Sequence, residues 1–256
     1  MRYERTLAGI VWRLAVVMVG CQPQTHPGAV PPSPAEAPGT SPNAGPARAK
    51  QPITGFNLHL NGFHVMKDEP SHFMEAQHYC KQVSADRTEC VLFDGTGEKA
   101  RMNGVEYIIS ETLFEKLPAA ERKYWHPHNY EILSGQLVLP ALTSGAEKAT
   151  VTLMMNTYGK TWHFPDMPAG GDAAPMGPPV LAWSINADGE LPEGMLDERD
   201  RRFHISTSEK RTERADLTFK AHPQEGVDAL AGAFPNRRPV AGVAGKVSEN
   251  APESGH

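Results

Sequence analysis

Short apolar runs separated by polar and turn-forming clusters define the middle of the chain. From Phe56 to Met66 apolar and polar residues alternate as in a strand. Gln77 to Val83 and Glu89 to Phe93 flank the polar connection Ser84 to Thr88, which predicts a hairpin, and Asp94-Gly95-Thr96-Gly97 predicts a turn. Val105 to Ile109 is a further predicted strand. Thr112-Leu113-Phe114-Glu115 fits a capping box, opening a helix that Pro118 divides into two short pieces. Ile132 to Leu139 is expected as a strand, Thr150 to Lys160 as a helix and Val180 to Ile185 as a strand. Hairpins and helices mixed in this order indicate α+β: one domain of antiparallel hairpins or mixed sheet with a few short helices.

The ends follow a different pattern. Arg2 and Arg5 precede an apolar run from Leu7 to Gly20, interrupted at Arg13 and ending on Val19-Gly20-Cys21. A basic start, an apolar stretch and small residues before a cysteine describe an export signal, and the ending resembles a bacterial lipobox. A spanning helix needs about 20 apolar residues, and Arg13 breaks the run well short of that. An ordinary signal or a short membrane anchor is the alternative. On the lipobox reading, residues 1–20 are a signal peptide and Cys21 carries acyl chains such as palmitate that bind the membrane. Gln22 after the cysteine then implies the outer membrane of a Gram-negative cell, with the chain facing the periplasm.

Nine prolines fall between Gln22 and Pro52, a stretch without aromatic residues, so residues 21–52 are expected as a lipidated cysteine and an extended tether. The folded domain is placed at 53–210. Leu196 to Arg214 is expected as a solvated charged segment, and 211–256 as a mostly disordered extension.

Composition changes this picture little. A net charge of −5 over 256 residues, without a Lys/Arg run, gives no face for nucleic acid. Twenty-three prolines and twenty-three glycines argue against a helical bundle. A Gly-x-Ser-x-Gly elbow, a phosphate loop and a dinucleotide fingerprint are all missing from the sequence.

Seven of the eleven histidines lie between His59 and His163. His126 and His128, two apart, would project from one face of an extended segment. With Glu131, and with His163 or His64, they form a candidate nitrogen/oxygen site for a divalent transition metal such as zinc, iron, manganese or nickel. A first cupin motif is similar in outline, but its leading glycine and second motif are missing and Glu131 is one residue too close. A buried polar network packed around Trp125, Tyr130, Trp162 and Phe164 explains the same residues without metal. Cys80 and Cys90 are cross-strand neighbours in the expected hairpin. They are either a disulfide, in an oxidising compartment, or two buried thiols.

Several blocks together resemble the oil body-associated protein (DUF1264) family. They include His59-Leu-Asn-Gly-Phe-His64, Glu75-Ala-Gln-His78-Tyr79-Cys80, Gly104-Val-Glu106-Tyr107 and Trp125-His126-Pro-His128-Asn-Tyr130-Glu131. Thr157-Tyr-Gly-Lys160-Thr-Trp162-His163, Gly177-Pro178-Pro179 and Arg202-Phe-His204-Ile-Ser-Thr207 continue the match to about Thr207. The resemblance implies a binding or structural role at lipid or an apolar surface rather than catalysis, in a bacterial lipoprotein-type member, and brings no catalytic residues with it. The alternative is a metal-dependent periplasmic enzyme built on the His/Glu set.

Overall fold

The computed structural model describes residues 51–165 and 174–246. The expected signal peptide, Cys21, nearly all of the tether and the last ten residues of the tail lie outside the described residues. Among those described, no helix is long and apolar enough to cross a membrane.

The fold is α+β, and its centre is an antiparallel sheet. Strands β1 (Leu58–Met66), β2 (Glu69–Ser84), β3 (Arg87–Phe93) and β4 (Met102–Ile109) form a meander. Two short helices, α1 (Glu111–Glu115) and α2 (Ala119–Arg122), then lead to the two-residue strand β5 (His126–Pro127) and helix α3 (Asn129–Leu133). Helix α4 (Ser144–Met154), strands β6 (Tyr158–His163) and β7 (Val180–Ser184), and helices α5 (Met195–Phe203) and α6 (Thr207–Glu213) complete the elements. Strand β4 pairs with β3 on one side and β6 on the other, while β7 joins β6 to β1. Six strands therefore close into a barrel, which leaves those long strands no open edge. β5 pairs with Tyr158 and Gly159 of β6, beside the stretch of β6 that β7 occupies.

Closure gives each strand an inner and an outer face. Leu60 and His64 of β1, His78 and Cys80 of β2, and Cys90 and Leu92 of β3 lie on the register rows that face the bore. Glu106 and Ile108 of β4 and Thr161 and His163 of β6 complete them. One end of the bore is apolar, where Leu60, Cys80, Cys90, Leu92 and Ile108 join the main core with Ile132, Leu137 and Val151. A second cluster covers the outer side of β1 and β7, where Phe63, Val65, Trp183 and Ile185 pack on Tyr130.

Where the structure departs from the sequence pattern, the reasons are local. Strand β2 begins at Glu69, eight residues before the expected Gln77, because a tight Lys67-Asp68 turn returns the chain at once and lets the polar stretch after Pro70 pair along β1. Helix α1 is capped by Ser110, whose side chain accepts from the Leu113 amide, two residues ahead of the expected Thr112. Pro118 ends the first piece and caps the second, α2. Ile132 to Leu139 is not a strand. Its first two residues close α3, Gly135 adopts φ +82, and the rest is a buried extended segment whose Val138 exchanges two backbone hydrogen bonds with Asn61. An apolar run buried on every side carries no period to separate these forms.

Helix α4 stops at Met154 rather than continuing to Lys160. Asn156 takes a left-handed φ of 66°, and Tyr158 to His163 then alternate as β6. The charged stretch Leu196 to Arg214 is not merely solvated: it forms α5 and α6 and buries two arginines. Arg199 reaches Asn61, the Gln136 carbonyl and Thr207, and Arg214 reaches the carbonyls of Ile132 and Leu137. Residues 211–246 were expected to be mostly disordered, but they pack on the barrel with Leu217 and Val227 buried. Few apolar residues are needed when such charged side chains serve as caps for interior carbonyls.

Candidate metal centre

The bore narrows on a polar cluster. Glu106 stands inward on β4, between Gly104 and Ile108 on the same face, and is 3% exposed. Its Oε2 lies 3.0 Å from His78 Nε2; its Oε1 lies 3.3 Å from His126 Nε2 and 3.4 Å from His128 Nε2. His64 and His163 approach from the adjoining strands, with His64 Nδ1 2.9 Å from His163 Nε2. Glu131 enters from α3. All seven residues are buried.

Partners outside the cluster set the tautomers. His163 Nδ1 can only donate to the Asn103 carbonyl, 3.0 Å away. Its Nε2 therefore accepts from His64 Nδ1, and His64 Nε2 keeps its lone pair. His128 Nδ1 meets the Thr157 hydroxyl at 2.9 Å, and that hydroxyl donates to the Met154 carbonyl, so His128 donates. His78 Nδ1 likewise faces the Ala76 carbonyl at 3.2 Å. His78 and His128 thus turn their remaining nitrogens toward the oxygens of Glu106. A lone pair facing a carboxylate is favourable only with a proton or a metal ion between them. His126 is the extreme case. It is fully buried and neither ring nitrogen makes a hydrogen bond, although its Nε2 lies 3.3 Å from Glu106 Oε1.

Burial and neighbouring charge act in opposite directions on these groups. Burial, reinforced by His78 and His163, holds the His64 imidazole well below its ordinary value. Burial lowers His126 too, against the pull of Glu106. Burial alone would raise Glu106, but His126, His128 and His78 outweigh it and hold the carboxyl well below the usual range. Glu131 is pushed well above that range, by burial first and then by the charge on Glu106. Burial therefore favours the neutral form of His64 and His126, the form in which an imidazole can ligate a metal.

Two triplets have ligand atoms within 4.8 Å of one another: His64, Glu106 and His126, and His126, His128 and Glu131. An internal cavity of about 10 Å³ lies against Glu106, His64, His78, His128 and Glu131. That is room for roughly one water or ion. Gly159 marks the same place. A Cβ there would sit 2.2 Å from Glu106 Oε1, 2.5 Å from His126 Nε2 and 2.7 Å from His128 Nε2.

The five residues expected as ligands, His64, His126, His128, Glu131 and His163, all lie in this cluster. His126 and His128 converge although only His126 is in a strand; His128 is the first, helical residue before α3. His163 uses one nitrogen on Asn103 and the other on His64, and so positions His64. Glu106 and His78 were missed. Both interrupt otherwise small or apolar inward rows, Gly104/Glu106/Ile108 and Ala76/His78/Cys80, and that was the available signal. Cys80 and Cys90 are directly opposed in the β2–β3 register, their sulfurs 1.96 Å apart in a disulfide.

A closed antiparallel barrel with a buried His/Glu cluster is the class of protein that this geometry defines. The chain belongs to the DUF1264 family, described as proteins of unknown function, whose model matches residues 50–218. It is 36% identical to oil body-associated protein 1A of Zea mays over 182 residues, covering 71% of this chain and 75% of that one. It is 33% identical to oil body-associated protein 1B of Arabidopsis thaliana, over 70% and 73% of the two chains. Oil body-associated protein 2A of Zea mays is 34% identical over 69% and 70%. No solved structure matches the chain.

Proposed function

We propose that the chain is a metal-binding protein that holds one divalent transition-metal ion in the barrel. Glu106, His126 and His128 are the central ligands; His64, His78 and Glu131 are within reach, and His163 positions His64. One observation carries this reading: the Nε2 atoms of His78 and His128, left with lone pairs by their outer partners, converge in a buried site on the Glu106 carboxyl group. Mixed imidazole and carboxylate donors suit zinc, iron, manganese, cobalt or nickel. The test is elemental analysis of the purified protein after loading with zinc or manganese and removal of excess metal. One equivalent is expected in the wild type and none in His126→Ala/His128→Ala. Zinc should also raise the melting temperature of the wild type only. A wild type that retains no metal, or a double variant that retains as much, would sink the proposal.

A second reading concerns where the protein works. The outer face of the barrel carries Tyr79, Val91, Val105 and Trp162 on one register row across four strands. Met102 and Tyr107 stand exposed beside that row, and Lys81 lies over the Phe56 ring at its margin. Aromatic surface fringed by lysine suits a phospholipid headgroup layer. The oil body-associated relatives support contact with lipid or an apolar surface, and the lipobox-like ending at Cys21 supports a bacterial envelope lipoprotein. Flotation of residues 51–256 with anionic liposomes tests the face, and loss of binding in Tyr107→Glu/Met102→Glu is expected. Palmitate labelling that disappears in Cys21→Ser tests the anchor. An unlabelled wild type would remove it.

A further inference from the structure

A pocket of about 320 Å³ opens at the apolar end of the barrel, between the start of β1, the β2–β3 turn, the end of β4 and the second half of α4. It is distinct from the 10 Å³ cavity of the metal centre, yet the two share Leu60, Ile108 and Met154 as walls. One layer of side chains separates them. Thr157 also lines the pocket, and its hydroxyl receives the hydrogen bond from His128 Nδ1.

We propose that this pocket binds a short neutral aliphatic amphiphile, with its chain against the layer covering the metal centre and its polar end at the mouth. The proposal rests on the metal-binding reading only in placing a ligand one side-chain layer from that site; the binding itself needs no metal. The size is at the lower end for small organic ligands. The walls are Leu58, Leu60, Ile108, Ile109, Leu153 and Met154, and Leu153 is 85% exposed at the rim, an apolar side chain without cover. Such walls select a hydrocarbon chain. The mouth has one cation, Arg87, and one anion, Asp86, together with neutral groups at Gln82, Thr88, Ser110 and Thr150. Opposed charges cancel and leave hydroxyl and amide donors and acceptors, which suit an uncharged head such as an alcohol better than a carboxylate. Met154, half-buried at the end of α4, has three rotatable bonds, so the separating layer is its most adaptable where the two cavities meet.

The experiment titrates the full chain with 1-octanol, octanoate and 1-propanol, following methyl resonances of Leu153 and Met154 by NMR, with and without cobalt(II). Saturable 1-octanol binding is expected in both forms, with octanoate weaker and propanol without effect. Leu153→Ala should weaken octanol roughly tenfold, and Thr150→Trp, which fills the pocket from the helix surface, should abolish binding while leaving the metal content unchanged. In the cobalt form the visible spectrum should shift on octanol addition. Absence of saturable binding, equal binding in Thr150→Trp, or tighter binding of octanoate would overturn the proposal. A protein that binds octanol but retains no cobalt would instead overturn the metal reading.

Discussion

Replacing Gly159 by alanine tests the metal centre without removing any ligand. The added Cβ would lie 2.2 Å from Glu106 Oε1, 2.5 Å from His126 Nε2 and 2.7 Å from His128 Nε2, where real contacts essentially never occur. Gly159 lies within β6 and has no left-handed φ, so alanine brings no backbone strain. On chain entropy alone the change would stabilise the fold by about 0.4–1 kcal/mol. Overpacking of a tight interior costs about 1–3 kcal/mol, so the sign is expected to reverse. The melting temperature should fall by roughly 2–4 °C per kcal/mol for a domain of this size. Because three donors are displaced together, zinc affinity should fall on the order of 10- to 100-fold, the range for disturbed ligand support. Denaturant unfolding with and without zinc, beside a competition assay with a chromophoric chelator, measures both effects. A variant as stable as the wild type, with unchanged zinc affinity, would refute the convergence of these three side chains.

Other consequences are as direct. Arg199→Ala leaves the Asn61 side chain and the Gln136 carbonyl without their buried donor, and should destabilise the protein by about 3–5 kcal/mol in urea unfolding. Cys80→Ser/Cys90→Ser opens a crosslink across a separation of ten residues and should cost about 2–3 kcal/mol, with neither Cys80 nor Cys90 alkylated in the untreated wild type. Burial beside Trp183 brings the Lys67 ammonium down to about 8, so in reductively methylated protein its NMR titration should be centred there. Since the folded state favours the neutral amine, Lys67 opposes folding at neutral pH, and that opposition disappears as pH rises past the ordinary lysine value. A midpoint near 10.4 would show that the side chain is solvated instead.

Much of the meander could be read from residue order. The polar break around Asp86 identified the β2–β3 hairpin, and Asp94-Gly95 a turn before the strand at Val105, because a half-buried strand writes its two faces into alternate positions. The candidate ligands were legible as residue types, since imidazoles at such density are uncommon in an ordinary core. Glu106 was not, because a single carboxylate in a strand becomes notable only once its face is known to point into a closed bore. The length of α4 was misjudged for a related reason: Asn156 ends it through a backbone conformation that its side chain tolerates but does not require.

Sequence alone therefore determined the local choices: which stretches extend, where the chain turns, that Pro118 splits a helix, and that histidine is concentrated in the middle. Tertiary structure decided the rest. Pairing of β4 with β6, and of β1 with β7, joins residues 49 to 120 positions apart, and no local pattern encodes which edges meet. That closure turns alternate positions of six strands toward one axis. It brings Glu106 to His78, His126 and His128, strips them of water, and so makes a candidate metal centre out of side chains that separately are ordinary polar residues.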